Sequence, residues 1–228
     1  MPEGFEETER GDELELAAYL DIEGETRLRA VFSSAEAVEV EPGWEDHWRT
    51  FHRGVRVGGL WIGPPWENPP PFVPRVVIEP ARAFGTGAHP TTRACVELLA
   101  RSRRGSLVDA GCGSGVLSVV AAKLGFGPII ALDVDEAAVD AARENALRNG
   151  VQIETRVADV LGHPLPAADV LVANIELGAV EALLSRWTGL RAIMSGYLAD
   201  DAVVARGWTR EERCELDGWA ADRFARLG

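Results

Sequence analysis

Cysteine is scarce in this chain: three residues in 228, Cys95, Cys112 and Cys214, an odd number with no C-x-x-C spacing. That argues against a disulfide framework and against a thiolate metal site, so no metal is expected. Long apolar runs are missing as well. No stretch reaches the ~18 uncharged apolar residues of a membrane span. The N-terminus, Met1-Pro2-Glu3-Gly4-Phe5-Glu6-Glu7, is acidic where a signal peptide is basic and then apolar. A soluble, cytoplasmic chain with no membrane partner is the expectation. Positive charge is the third shortage: 23 Lys and Arg face 36 Asp and Glu, a formal net charge of −13. Phosphate contacts need a basic surface, so tight nucleic-acid binding is disfavoured, and a basic protein or peptide is the electrostatically natural partner.

Proline is abundant in one place only. Residues 64–74 hold six prolines in eleven positions, which forbids helix and central strand and marks a linker or rigid crossing loop. Before it the pattern predicts a strand over 14–20, a short helix over 24–33 and a strand over 37–40, a small acidic α+β element. Trp44, Trp48 and Phe51 fall at i, i+4 and i+7, an aromatic helix face suited to packing between two domains. After residue 75 apolar runs alternate with amphipathic helices, the mark of a βαβ succession with a parallel sheet. Strands are expected over 107–110, 128–132, 152–157, 169–173 and 190–195, and helices over 91–103, 114–124, 135–148 and 176–187. Two strand-like runs around Asp217-Gly218 predict a closing antiparallel hairpin. The domain expectation is an incomplete small α+β domain over 1–42, a linker helix and crossing segment over 43–74, and a Rossmann-like domain over 75–228.

The strongest chemical signal is Leu107-Val108-Asp109-Ala110-Gly111-Cys112-Gly113-Ser114-Gly115, a strand running into glycines that open a helix. Glycines there let a nucleoside approach the main chain closely. Position 116 is Val116, so the loop is G-x-G-x-G and not the dinucleotide G-x-G-x-x-G, and no G-K-[ST] for a triphosphate follows. S-adenosylmethionine, an adenosine without phosphates, suits the tighter loop better than a nicotinamide cofactor. Asp133, 22 residues after Gly111, stands where a carboxylate accepts both ribose hydroxyls, and Asp135 reads as a helix N-cap. Asp159 stands where an adenine amino group is met, or is a loop residue only. Asn174, at the end of the fourth strand, is placed either to accept a hydrogen bond from an incoming amine or to cap the next helix. In the loop 84–92, Phe84, Thr86 and His89 are candidates for the reacting side of a segment that folds over a cofactor and excludes water. His89, beside Pro90, also suits a structural role.

The stretch Ala83-Phe84-Gly85-Thr86-Gly87-Ala88-His89-Pro90-Thr91-Thr92, with Asp109 to Leu117, Asp133-Val134-Asp135, Ala142-Arg143-Glu144-Asn145-Ala146, Val172-Ala173-Asn174-Ile175 and Ser195-Gly196, resembles the PrmA family, the methyltransferases of ribosomal protein L11. The resemblance covers about residues 40 to 200. It implies a class I Rossmann-like methyltransferase domain, a mostly parallel seven-stranded sheet with a C-terminal antiparallel hairpin, behind a shortened ferredoxin-like domain. It also implies S-adenosylmethionine as cofactor, held at Thr92, Gly111, Asp133 and Asn174, to which the reading of the loop and of the third strand's end adds Gly113, Gly115 and Asp159. The implied reaction is methylation of lysine side chains and of the N-terminal amine of that ribosomal protein, and a monomer is the expected oligomeric state. Alternatives are N-methylation of another protein or a small molecule, and a cofactor-binding, ribosome-associated module with little turnover. Glu176 stands where the family has an apolar residue, a change beside the acceptor pocket.

Overall fold

The computed structural model describes residues 6–10, 13–17, 28, 53–79 and 87–227. The chain divides into two compact units, Met1–Trp48 and Arg49–Gly228. In the first, β1 (Glu6–Arg10) and β2 (Glu13–Ala17) form an antiparallel pair with Glu6 opposite Ala17. The strand expected over 14–20 is β2, while β1 was not anticipated, because Glu6-Glu7-Thr8-Glu9-Arg10 contains no apolar residue whose period could be read. Leu28 is helical. The rest of the expected helix over 24–33, the strand over 37–40 and the aromatic helix 44–51 lie outside the described residues.

The second unit opens with a three-stranded sheet of β3 (Val55–Val57), β4 (Leu60–Gly63) and β5 (Arg75–Val77), in which β3 and β4 are antiparallel and β4 and β5 parallel. Of the two roles open to the proline-rich run, the crossing loop is the one it has. Parallel neighbours need a connection that runs back along the sheet, and residues 64–74 supply it between β4 and β5.

The main sheet has seven strands in the order β11-β12-β10-β9-β6-β7-β8. Its members are β6 (Leu107–Ala110), β7 (Ile129–Asp133), β8 (Glu154–Val157), β9 (Val170–Asn174), β10 (Arg191–Leu198), β11 (Trp208–Leu216) and β12 (Trp219–Arg226). The five strands β6 to β10 are parallel, and β12 and β11 close the edge as an antiparallel hairpin. This is the expected Rossmann-like architecture. Helices α1 (Pro90–Arg101), α2 (Val116–Lys123), α3 (Glu136–Asn149) and α4 (Leu177–Arg186) connect the strands.

Alternation along each strand divides the core between the two faces. Leu107, Val170, Val172 and Ile193 pack with α1, α2 and the three-stranded sheet, whereas Val108, Leu171, Ala173, Ala192 and Met194 pack with Leu183, Leu184 and Trp187 around α4. A central parallel strand is covered on both faces, which explains why these segments read as continuous apolar runs. The hairpin is fixed by a buried ion pair: Arg213 donates from Nε and Nη2 to the two carboxylate oxygens of Asp222, both at 2.9 Å, and the Tyr197 hydroxyl donates to Asp222 Oδ2 at 3.1 Å. Among the described residues no helix is long and apolar enough to cross a membrane.

Candidate functional site

Strand order reverses at β6. From there the chain proceeds through β7 and β8 on one side and through β9 and β10 on the other. The carboxyl ends of β6 and β9 therefore splay their outgoing loops apart, and the crevice between them is the place where open α/β sheets bind ligands. A cavity of about 550 Å³ lies there, within the ~300–1,000 Å³ typical of small-molecule sites. Its wall comes from Thr92 of α1, Asp109 and the glycine loop after β6, Asp133 and Val134 after β7, residues 158–161 after β8, and Asn174 and Ile175 after β9.

The glycine loop turns through alternate left-handed residues, Gly111 at φ 75°, Gly113 at φ 51° and Gly115 at φ 76°. Gly111 and Cys112 donate their N–H groups to the Leu132 carbonyl at 2.8 and 3.0 Å, which ties the loop to β7. Gly115 faces α3, where a Cβ would lie 2.8 Å from the Ala142 Cβ, so this glycine serves close helix packing. Asp133 fastens the cavity side. Its Oδ2 accepts the Gly113 N–H at 2.9 Å and its Oδ1 the Asp135 N–H at 3.1 Å. Each oxygen thus holds one backbone donor and keeps lone-pair capacity for a further one, the requirement for gripping a vicinal diol. Asp135 caps α3 through the Ala137 N–H at 3.0 Å, as the sequence led us to expect.

Asn174 does not cap the following helix. The N-cap of α4 is Glu176, which makes no side-chain cap bond. Instead Asn174 Nδ2 donates to Oγ1 of the buried Thr92 at 3.2 Å, joining the end of β9 to the first turn of α1. With the amide nitrogen so engaged, Oδ1 is the acceptor end of this side chain. Asp159 lines the cavity and also organises its own turn: the backbone N–H groups of Gly162 and of Leu161, the latter donating to Oδ1 at 2.9 Å, hold its pKa below the usual carboxylate value. His89 stands apart from the cavity wall. It is the N-cap of α1, its Nδ1 lies 2.7 Å from Thr91 Oγ1 and accepts the Thr91 N–H at 3.3 Å, and its ring meets the Trp219 edge with centroids 5.1 Å apart. Phe84 and Thr86 lie outside the described residues.

Asp109 was not among the binding candidates, although it stands two residues before the glycine run. It is buried on the cavity wall, accepts the Ser118 hydroxyl at 2.7 Å, and has its pKa pushed up to about 6 by loss of solvation. Three carboxylates, Asp109, Asp133 and Asp159, consequently face one cavity, and no Arg or Lys lines it among the described residues. Such a wall repels a pyrophosphate and favours a ligand with positive charge. The donor set fits an adenosine bearing a sulfonium, the group inferred from the G-x-G-x-G loop.

Comparison with known proteins agrees. The model of the family described as ribosomal protein L11 methyltransferase (PrmA) matches residues 5–224. A protein of that name from Tolumonas auensis is 39% identical over 196 residues, covering 77% of this chain and 66% of the relative. Another from Photobacterium profundum is 38% identical over 201 residues, covering 78% of this chain and 68% of the relative. The chain thus spans about two thirds of the length of these curated relatives. Among solved structures, a ribosomal protein L11 methylase from Lactobacillus delbrueckii subsp. bulgaricus superposes with a TM-score of 0.66 at 26% identity, covering 75% of this chain and 96% of that one. On the strength of a family match running through nearly all of its length, the chain belongs to the ribosomal protein L11 methyltransferase family.

Proposed function

We propose that this chain transfers methyl groups from S-adenosylmethionine to amino groups of ribosomal protein L11, lysine side chains and the N-terminal amine, as a cytoplasmic monomer. The observation that carries the proposal is the cavity at the strand-order reversal, walled by three carboxylates and by the Thr92–Asn174 pair. Asp133 would hold the ribose hydroxyls, the glycine loop would lie along the nucleoside, and Asp159 would meet the adenine amino group. When bound, S-adenosylmethionine supplies a methyl group already activated on a sulfonium, so the protein has little acid catalysis to perform. Positioning is its main task.

The difficulty lies with the acceptor. A lysine of pKa near 10.4 is neutral at pH 7 in only about one molecule in 2,500, a deficit of roughly 4.6 kcal/mol. Partial desolvation at the mouth of a closed site lowers the amine pKa and reduces that deficit. Asn174 Oδ1, held by the bond from Nδ2 to Thr92, accepts an N–H of the neutral amine and turns its lone pair toward the methyl group. The N-terminal unit serves docking of the acceptor protein, and the acidic balance of the chain favours a basic one.

The test is the intact mass of purified, unmethylated ribosomal protein L11 after incubation with this protein and S-adenosylmethionine. Successive added methyl masses are the expected result, with peptide mapping to locate the amines. No mass change, from a protein that binds the cofactor, would overturn the acceptor assignment. In the same assay Asn174→Ala is expected to lower kcat by about 10²-fold, the usual cost of a misplaced reacting group. An unchanged rate and pH profile would remove Asn174 from the mechanism.

A further inference from the structure

Helix α3 carries two buried carboxamides one turn apart, Asn145 at 1% and Asn149 at 8% exposure. Buried amides persist only where both their donor and acceptor ends are met. Asn149 meets its needs on β5: its Oδ1 accepts the Val77 N–H at 2.8 Å, and its Nδ2 donates to the Val77 carbonyl at 2.6 Å and to the Asn145 carbonyl at 2.8 Å. It treats the edge of β5 as a neighbouring strand would. Asn145 does something different. Its Oδ1 accepts the Glu79 N–H at 3.0 Å, just beyond β5, while its Nδ2 donates to the carbonyl of Ser114 at 3.0 Å. Ser114 is the residue between Gly113 and Gly115, the left-handed pair of the cofactor loop.

We infer that Asn145 is a positioning residue for the cofactor. It holds the Ser114 peptide from behind, so that Gly113 keeps its N–H on Asp133 and the loop presents a set edge to the nucleoside before binding. The same carboxamide joins that loop to the segment leaving the three-stranded sheet, which makes the small sheet part of the support of the site. A planar amide suits the position because it offers a donor and an acceptor in fixed relation, one for each side. Neither Asn145 nor Asn149 lines the cavity, so the effect acts through preorganisation. The inference rests on the cavity binding S-adenosylmethionine.

The experiment compares Asn145→Ala with Asn149→Ala, two variants that both loosen the attachment of α3 to the segment 77–79, of which only the first releases the glycine loop. Two quantities are read: the affinity for S-adenosylhomocysteine by titration calorimetry, and amide hydrogen exchange at Gly113 and Gly115 in the protein without ligand. Asn145→Ala is expected to weaken binding about tenfold, the cost of losing one buried hydrogen bond that sets the loop, and to speed exchange at both glycines. Asn149→Ala is expected to lower Tm while leaving affinity and loop exchange as in the wild type. Asn145→Leu, which keeps the side-chain volume, repeats the measurement should the alanine variant fail to fold. Wild-type affinity and loop exchange in the Asn145 variants, or losses in both positions that simply follow Tm, would overturn the inference. If the wild type itself bound no S-adenosylhomocysteine, the cofactor assignment would fall, and the exchange comparison would still decide whether Asn145 sets the loop.

Discussion

Asp109 illustrates how a single residue can serve a site at a cost to the fold. Its carboxyl is buried at the end of β6 with a pKa raised to about 6, chiefly by desolvation, and the Ser118 hydroxyl offsets part of that penalty. A carboxyl whose folded pKa exceeds its unfolded value binds more protons in the native state, so stability falls as pH rises from about 4 to about 6 and stays lower above it. The shift corresponds to at most ~3 kcal/mol. Asp109→Asn is therefore expected to flatten this part of the stability curve and to unfold at higher denaturant than the wild type at pH 7.5. Urea titrations at pH 4.5 and 7.5 check this, and an unchanged pH dependence would show that Asp109 ionises normally. At this scale the sequence was informative wherever chain neighbours define the role, as with the cap at Asp135. It was ambiguous for Asn174, where the choice between capping and binding depends on Thr92, 82 residues away in sequence.

Among the elements, the turn from β9 into α4 is held by close approach rather than by its own residues. A Cβ at Gly111 would lie 2.6 Å from the Ile175 Cγ2, and one at Gly196 would lie 1.9 Å from the Ile175 carbonyl oxygen. Ile175 is thus clasped between the loop after β6 and the middle of β10, where Gly196 has φ 106° and the pairing with β12 slips a register between Ser195 and Tyr197. This is the physical content of the Ser195-Gly196 pair. Gly196→Ala is expected to cost ~3 kcal/mol or more, from strained backbone and overpacking together, and to displace Asn174 along with Ile175. Denaturant unfolding read beside kcat checks both, and a loss below ~1 kcal/mol would mean that the turn has room to yield. The helices and parallel strands were legible within a few residues because apolar period and caps are local properties. The strands β3 and β5 were not, being three residues long and held only by pairing with β4 and by the packing of Val57 and Val76 into the core they share with α1 and α2.

For the whole molecule the dominant quantity is a net charge of −13. Long-range attraction raises the encounter rate with a basic acceptor and is screened by salt. We expect kcat/KM for ribosomal protein L11 to fall by roughly tenfold as ionic strength rises from about 0.01 to about 0.15 M, while the Debye length shrinks from about 30 to about 8 Å. A flat salt dependence would confine recognition to short-range contacts. The sequence by itself determined the alternation that builds a parallel sheet, the hairpin that closes it and the G-x-G-x-G loop with its carboxylate 22 residues on, because period, turn chemistry and spacing are properties of neighbours along the chain. Only the tertiary structure decided that Asp109 joins Asp133 and Asp159 in one cavity, that Asn174 pairs with Thr92, and that Asn145 reaches from α3 to the glycine loop. Those groups meet because strand order reverses at β6, and that reversal is fixed by the packing of both faces of the sheet at once.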